Sequence, residues 1–362
     1  MVFIPHPESR ITYLIHFMIN VLVVDDSAFS RRIITKILES IPDVKVVETA
    51  TDGQDALKKV IRTRPDLITL DLEMPLMDGF TFLRWVMNNM PTPVIVVSAQ
   101  EADENVFKAM DLGAVDFLVK PTRHASMQLE EIKADLIEKV LAIPLLKMRK
   151  IKERLQSEET KAPSVAPVTT AGDRPRVICI ASSTGGPPAI QTILSELPKG
   201  FEVPILVAQH MPPAFTALFA ERLNKYTSMV VKEAANEDVL QPSTVYIAPG
   251  GKHLVVEKRS NKYILLHKDK QLDPKYSPSA NVLFSSVADE MDGRAVGTVL
   301  TGMGDDGREG SKKLKTKGAV IIAESEQTAI IFGMPQETIR AGVVDHILPL
   351  HEIARQFTTL CQ

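Results

Sequence analysis

The chain has 362 residues, with 42 basic against 45 acidic side chains and a formal net charge of −3. At roughly 150 residues per domain this length predicts two domains, and the near-neutral balance excludes a protein built mainly to neutralise nucleic-acid phosphates. Two cysteines, Cys179 and Cys361, exclude a disulfide scaffold and suit a reducing, cytoplasmic compartment, and there is no Cys/His cluster with zinc-ligand spacing.

Ile11 to Val24 (ITYLIHFMINVLVV) is apolar, but it contains His16 and Asn20, has no small-residue cleavage pattern, and falls short of the roughly 20 residues a spanning helix needs. No membrane insertion is expected. Its second half, from Ile19, reads as a buried strand, with Met18 a candidate start and residues 1–17 an extension of unknown role. Short aliphatic runs then recur at Val44–Glu48, Leu67–Leu70, Val94–Val97 and Asp116–Val119, separated by amphipathic stretches such as Ser27–Ser40 and Gln54–Thr63. Apolar runs of this length flanked by Gly, Pro or Asp predict strands buried on both faces, and their alternation with helices predicts a doubly wound α/β domain over 18–142. Trp85, Met87 and Met90 are read as helix-packing residues.

Residues 146–160 are charged and helix-prone, with acids interleaved among the basic residues Lys147–Arg154, which predicts a solvated helix face. KAPSVAPVTTAGDRP follows, a semi-extended linker by composition, so the segment 143–173 separates the two domains. From 174 to 362 the alternation resumes, with strands predicted at Val177–Ile180, Pro204–Ala208, Thr244–Ile247, Val296–Leu300 and Ala319–Ala323. The fold class is therefore α/β, two doubly wound parallel-sheet domains. Cys179 falls inside a buried strand and Cys361 in a mobile tail.

In open parallel sheets ligands bind outside the carboxyl ends of the strands. Asp25 and Asp26 follow the first predicted strand and Asp71 the third, and converging carboxylates suit a hard divalent cation such as Mg²⁺. Ser98 ends the fourth strand and Lys120 the fifth, a hydroxyl and an ammonium suited to a phosphoryl group. Each alone reads as a solvated loop residue or a helix cap, as Asp26 before Ser27 does; five at successive strand ends read as a site.

VDDS (24–27), LDLEMPLMDG (70–79), VVSA (96–99) and DFLVKP (116–121) resemble, in order, the receiver domain of two-component response regulators. The resemblance implies that Asp71 accepts a phosphoryl group from a histidine kinase. It further implies that Asp25, Asp26, Asp71 and the Glu73 main-chain carbonyl hold Mg²⁺, and that Ser98 and Lys120 bind the phosphoryl group.

VICIASSTGGPPAI (177–190) predicts a strand, a small-residue turn and a helix start, with proline suited to the first turn. Two readings stay open at this point: an anion cradle at a helix N-terminus, or a nucleophile on a sharp strand-to-helix turn. GxSxG, GxGxxG and the P-loop pattern are all absent. His210 follows an apolar strand, and Asp305 and Asp306 lie in the glycine-rich loop LTGMGDDGREG after another. Serine, histidine and aspartate at three strand ends of one sheet are the parts of a nucleophilic triad, with loop N–H groups to stabilise an oxyanion.

ASSTGG, QHMPP, YIAPGGKHL, TGMGDDG and FGMP resemble the catalytic domain of the CheB family of chemotaxis protein-glutamate methylesterases over about 175–360. The resemblance implies Ser183 rather than Ser182 as nucleophile, His210 as base, Asp306 rather than Asp305 as the orienting acid, Thr184 as support for the histidine, and the Met303 N–H in the oxyanion hole. It also implies hydrolysis of glutamyl methyl esters on chemoreceptors with release of methanol, deamidation of receptor glutamines, no cofactor for the ester chemistry, and a receiver that covers the site until phosphorylated.

Three departures stand out. Ala181 occupies a position where glycine is usual, so one methyl is expected to shift the nucleophile slightly; Ser277 and Asn281 stand where arginine and aspartate are usual, and altered substrate contacts are expected there. His253 is a further candidate for the site, or else a packed strand-start residue. A phospho-switched binding module without catalysis is the rival reading, and a nucleotide-binding domain using the TGG turn is a weaker one, lacking a lysine in the turn.

Overall fold

The computed structural model describes residues 18–98, 104–120, 126–146, 148, 151, 176–273 and 275–361, and the predicted extension 1–17 and the proline-rich stretch of the linker lie outside them. In the N-terminal domain, β1 (Ile19–Val24), β2 (Val44–Ala50), β3 (Leu67–Asp71), β4 (Val94–Ser98) and β5 (Asp116–Val119) form a parallel sheet in the order β2-β1-β3-β4-β5. The central strands are buried on both faces, which is why they read as uninterrupted aliphatic runs. Helices α1 (Ala28–Leu38), α2 (Gly53–Thr63), α3 (Gly79–Asn89), α4 (Asn105–Asp111) and α5 (Ser126–Leu141) connect and flank them. Ser27, not Asp26, caps α1 by accepting from the Ser30 N–H, while Asp52 caps α2 by accepting from Gln54 and Asp55.

The second domain is built on a seven-stranded parallel sheet ordered β15-β14-β13-β6-β7-β10-β8. Its strands are β6 (Val177–Ser182), β7 (Ile205–Gln209), β8 (Val230–Glu233), β10 (Thr244–Ile247), β13 (Ala295–Val299), β14 (Val320–Glu324) and β15 (His346–Leu348). Helices α6 (Gly186–Glu196), α7 (Pro213–Leu223), α8 (Ala280–Glu290), α9 (Arg308–Thr316), α10 (Met334–Arg340) and α11 (Leu350–Cys361) complete the layers. A small antiparallel sheet not expected from the sequence, in the order β11-β12-β9, is formed by β9 (Asp238–Val239), β11 (His253–Arg259) and β12 (Lys262–Lys268). Cys361, expected in a mobile tail, instead ends α11, half-buried against the core, and burial pushes its thiol pKa up to about 12. Burial likewise pushes the Cys179 thiol up, so neither cysteine is a ready thiolate.

Strand β6, the first of this domain, sits mid-sheet with β7 on one side and β13 on the other, so the order in which strands are added reverses there and leaves a crevice beyond the carboxyl ends of these three parallel strands. The N-terminal domain docks over that crevice. Phe107 of α4 stacks on Phe219 of α7 with ring centroids 5.6 Å apart, and Phe117 of β5 packs on Phe215 at 4.6 Å. Ile330 and Ile331 join a second apolar cluster with Val97, Ile132 and Leu136 of the N-terminal domain. Ile143 and Ile151 are buried in that same cluster, so packing with the N-terminal domain extends past residue 142 into the segment read as linker. Arg222 with Asp111, and Lys225 with Glu104 at 3.3 Å, form ion pairs at the rim.

Candidate active site

Pairing of β6 with β7 ends at Ser182↔Gln209, which brings the next residues, Ser183 and His210, out side by side at the sheet rim. The two adjacent serines are physically distinct. Ser182 is fully buried, and its hydroxyl donates to Gln209 Oε1 at 2.7 Å. Ser183 lies past the strand end with 8% exposure. Gln209 Nε2 donates in turn to the main-chain carbonyls of Ser183 (3.0 Å) and His210 (2.9 Å), tying both rim residues to one buried amide. The turn needs its glycines. Gly185 has φ +78°, and a Cβ on Gly186 would lie 2.1 Å from Gln209 Oε1. Helix α6 then starts with Pro187 in its first turn.

Asp306 reaches the same rim from the loop after β13. It is fully buried, and its carboxylate accepts from His210 Nε2 (2.8 Å), the Ser279 hydroxyl (3.0 Å) and the N–H groups of Ala280 (2.7 Å), Asn281 (2.8 Å) and Gly307 (3.0 Å). Burial alone would raise its pKa; the His210 hydrogen bond and charge, with the Asn281 and Ala280 N–H groups, outweigh burial and hold it below the ordinary carboxylate value. Asp305 is different. It is half-buried and pairs with Arg308 (3.2 Å) and Lys275 (3.4 Å). Gly302 packs directly against Ser183, since a Cβ there would fall 2.8 Å from that of the serine. The Gly302 carbonyl accepts from Gly333 and Met334, which fixes the loop just before Met303.

Several expectations are revised. The Thr184 hydroxyl, expected beside the histidine, donates in this arrangement to Asp116 of the N-terminal domain. Ala181 sits in register in β6, paired with Val299 and Ala208, and its methyl lies 3.4 Å from where a Cβ on Gly307 would be. Asn281 has a structural task instead of the expected substrate contact: its Oδ1 accepts from the Gly307 (3.1 Å) and Gly310 (2.8 Å) N–H groups and pins the start of α9. His253 is fully buried at the start of β11, its Nδ1 accepting from the Ser279 N–H at 3.2 Å, so it stands behind Asp306 rather than at the reacting face.

In the N-terminal domain, Asp25, Asp26 and Asp71 each bring an oxygen within 4.8 Å of the others. The Lys120 ammonium lies 2.7 Å from Asp71, 3.4 Å from Asp25 and 3.9 Å from Asp26. Burial, then the neighbouring Asp25 charge, raise the Asp71 pKa to about 6 despite Lys120. Burial pulls Lys120 down, yet its bond to Asp71 and the charges of Asp25 and Asp71 leave it raised. The Glu73 N–H donates to Asp71 Oδ1 at 3.3 Å, placing that stretch of main chain beside the carboxylate, and Ser98 is buried at the adjoining end of β4. Asp25 Oδ2 is buried without a partner, an oxygen still to be satisfied. An all-carboxylate set with such an orphan atom fits a hard cation of the Mg²⁺ type.

The sequence profile of the CheB methylesterase family matches residues 178–357, and that of the response-regulator receiver domain matches residues 21–131. A protein-glutamate methylesterase/protein-glutamine glutaminase of Geobacter sulfurreducens is 43% identical over 95% of this chain and 97% of its own length. The chain belongs to the CheB methylesterase family. A Myxococcus xanthus relative of the same name is also 43% identical, over 95% of this chain and 98% of its own. The crystal structure of the Thermotoga maritima CheB methylesterase catalytic domain superposes with a TM-score of 0.50 at 36% identity, covering 51% of this chain and 97% of that one. Family membership thus accounts for both halves, a receiver and a catalytic domain. No helix among the described residues is long and apolar enough to cross a membrane.

Proposed function

We propose that this protein is a phosphorylation-activated protein-glutamate methylesterase that also deamidates glutamine, acting in the cytoplasm on chemoreceptors and controlled by a histidine kinase. The observation that carries the reading is the convergence of Ser183, His210 and a fully buried, five-times hydrogen-bonded Asp306 at one sheet rim. Ser183 attacks the γ-carbonyl of the ester. With Nε2 committed to Asp306, the other imidazole nitrogen, Nδ1, takes the serine proton and returns it to the departing methoxide, which leaves as methanol. Asp306 fixes the tautomer and stabilises the imidazolium. The Met303 N–H is assigned to the developing oxyanion. Water then attacks the acyl-enzyme by the same base, restoring serine and leaving glutamate; a glutamine enters the same cycle with ammonia as the leaving group. This geometry gives no support to a catalytically inert binding module.

Asp71 is the assigned phosphoryl acceptor, with Asp25, Asp26 and the Glu73 carbonyl completing the cation site and Ser98 and Lys120 contacting the phosphoryl group. A Mg²⁺ ion held by these residues would supply charge neutralisation for phosphoryl transfer to Asp71. The acid cluster makes a separate expectation: Mg²⁺ at about 100 times its dissociation constant adds about 2.7 kcal/mol to receiver stability. In differential scanning calorimetry of the full chain the receiver transition is expected to rise with Mg²⁺ and not to do so in Asp25→Asn; an equal rise in both proteins would reject the cluster as the site.

The experiment that tests the function is methanol release from membranes carrying methylated receptors, with and without Mg²⁺ and acetyl phosphate as a small phosphodonor. Release that rises with phosphodonor and is absent in Ser183→Ala is the expected result. Release that survives Ser183→Ala removes the assigned nucleophile, and no release from any form of the chain removes the esterase reading for that substrate.

A further inference from the structure

The Asp306 hydrogen bond holds the His210 imidazole by one atom, Nε2, and a single hydrogen bond leaves the ring free to tilt about that contact. A second element fixes the plane. Tyr276 lies over His210 with ring centroids 4.6 Å apart and planes inclined by 11°, a stacked pair. Tyr276 is itself 7% exposed and held from several sides. Its N–H donates to Asp273 Oδ1 at 3.3 Å, and the Lys275 ammonium lies 4.5 Å from its ring centroid. Its hydroxyl reaches the loop carrying Met303: a Cβ on Gly304, where φ is +83°, would sit 2.2 Å from Tyr276 Oη, so only glycine there leaves room for the phenol.

The chain just beyond Tyr276 grips the other end of the dyad. The Ser279 hydroxyl and the N–H groups of Ala280 and Asn281 bind Asp306, and the Ser279 N–H is anchored on buried His253. One short segment, 276–281, therefore touches both His210 and Asp306 and the oxyanion loop. We infer that Tyr276 is a positioning residue for the ester hydrolysis, setting the plane of the His210 ring so that the imidazole nitrogen not bound to Asp306 stays aimed at Ser183. The inference rests on the triad reading given above. Its chemistry is that of orientation: the phenol ring acts through the imidazole on which it stacks, and its removal should lower turnover without weakening substrate binding.

The test uses the full chain with Mg²⁺ and acetyl phosphate, assayed for methanol release from methylated receptor membranes, comparing wild type, Tyr276→Phe, Tyr276→Leu and Ser183→Ala. Misplacing a catalytic group by about 1 Å costs up to about a hundredfold, so Tyr276→Leu is expected to lose at least tenfold in kcat with KM within twofold. Tyr276→Phe retains the stack and should stay within about threefold of wild type. Proton NMR of the His210 ring supplies a readout independent of turnover. The imidazole C–H signals, assigned by their disappearance in His210→Gln, keep their upfield stacking shift in Tyr276→Phe and move downfield in Tyr276→Leu. Should Tyr276→Leu fail to fold, Tyr276→Gln takes its place beside Tyr276→Phe. Wild-type kcat in Tyr276→Leu, an unmoved imidazole signal, or equal losses in Phe and Leu would each overturn the inference. If Ser183→Ala keeps full turnover, the triad itself is misassigned; if Ser183→Ala is dead while Tyr276→Leu is unaffected, only the role of Tyr276 falls.

Discussion

Asp306→Asn is expected to reduce kcat for methyl-ester hydrolysis by about 10⁴-fold while leaving KM nearly unchanged, the loss seen when the acid of a serine triad becomes an amide. Asparagine matches aspartate in size but carries two donors in place of one acceptor. At this position all the neighbours are donors: the Ser279 hydroxyl, three backbone N–H groups and His210 Nε2. An amide NH₂ must face at least one of them, so either His210 loses its partner or a buried N–H does. The histidine then turns or changes tautomer, and Ser183 loses its base. The same clash of donors destabilises the fold, by about 1–3 kcal/mol for an unsatisfied buried group. Ser183→Ala should be at least as damaging to turnover but close to neutral for stability. Methanol release and thermal unfolding on the two proteins separate these outcomes, and more than a tenth of wild-type activity in Asp306→Asn would contradict the role assigned to it.

The carboxylate also sets a pH dependence. Its folded pKa lies below the ordinary value of 3.8, so Asp306 contributes stability in full above that value. The contribution is lost as pH falls through the folded pKa. Acid unfolding of the catalytic domain should therefore move to higher pH in Asp306→Asn, which starts without this contribution.

How far the sequence exposed this site depended on where each contact comes from. Ser183 and His210 were legible because each directly follows an apolar strand, and in a parallel sheet that is enough to put both at the carboxyl rim. The central strands were legible for the same reason, being buried on both faces. The hairpin β11–β12 was not, although Ser260–Asn261 joins two half-exposed runs and supplies the positive φ of +56° that such a turn uses. Tyr276, Gln209 and Ser279 lay beyond sequence reasoning because their contacts join segments tens of residues apart. Asn281 was read for what it replaces, an acid, and so as a substrate contact. Its geometry makes it an acceptor for two glycine N–H groups at the start of α9, a task an amide oxygen performs as well as a carboxylate. Asp116 reads in sequence only as part of a strand, yet its carboxylate accepts the hydrogen bond that ties the receiver to Thr184, the residue beside the nucleophile.

That contact makes the second large prediction: Asp116→Ala should raise the esterase activity of the unphosphorylated chain by about tenfold or more. Asp116 faces two ways. One oxygen lies 3.2 Å from the Lys139 ammonium of α5, and the other accepts the hydroxyl proton of Thr184, next to Ser183. Burial pulls Lys139 down, but the charges of Asp116 and Asp135 outweigh it and keep the residue cationic, so the receiver carries a buried, charge-assisted hook into the catalytic turn. Hydrogen bonds to charged groups contribute about 1.5–3 kcal/mol. If the covered and open arrangements are in equilibrium, removing that much from the covered form multiplies the open population by about 10–150, up to the ceiling reached on phosphorylation. The rim pair Arg222–Asp111 is a useful contrast, since Asp111 is 45% exposed and such pairs contribute at most about 1 kcal/mol. Arg222→Ala should therefore raise basal activity by less than about fivefold. The apolar seam of Phe107, Phe219, Phe117 and Phe215 remains in both variants, so the domains stay associated and stimulation by phosphodonor shrinks in Asp116→Ala without vanishing. Methanol release with and without acetyl phosphate reads both quantities. Basal rates in Asp116→Ala equal to wild type, with undiminished stimulation, would show that the Thr184 contact does not contribute to holding the site closed.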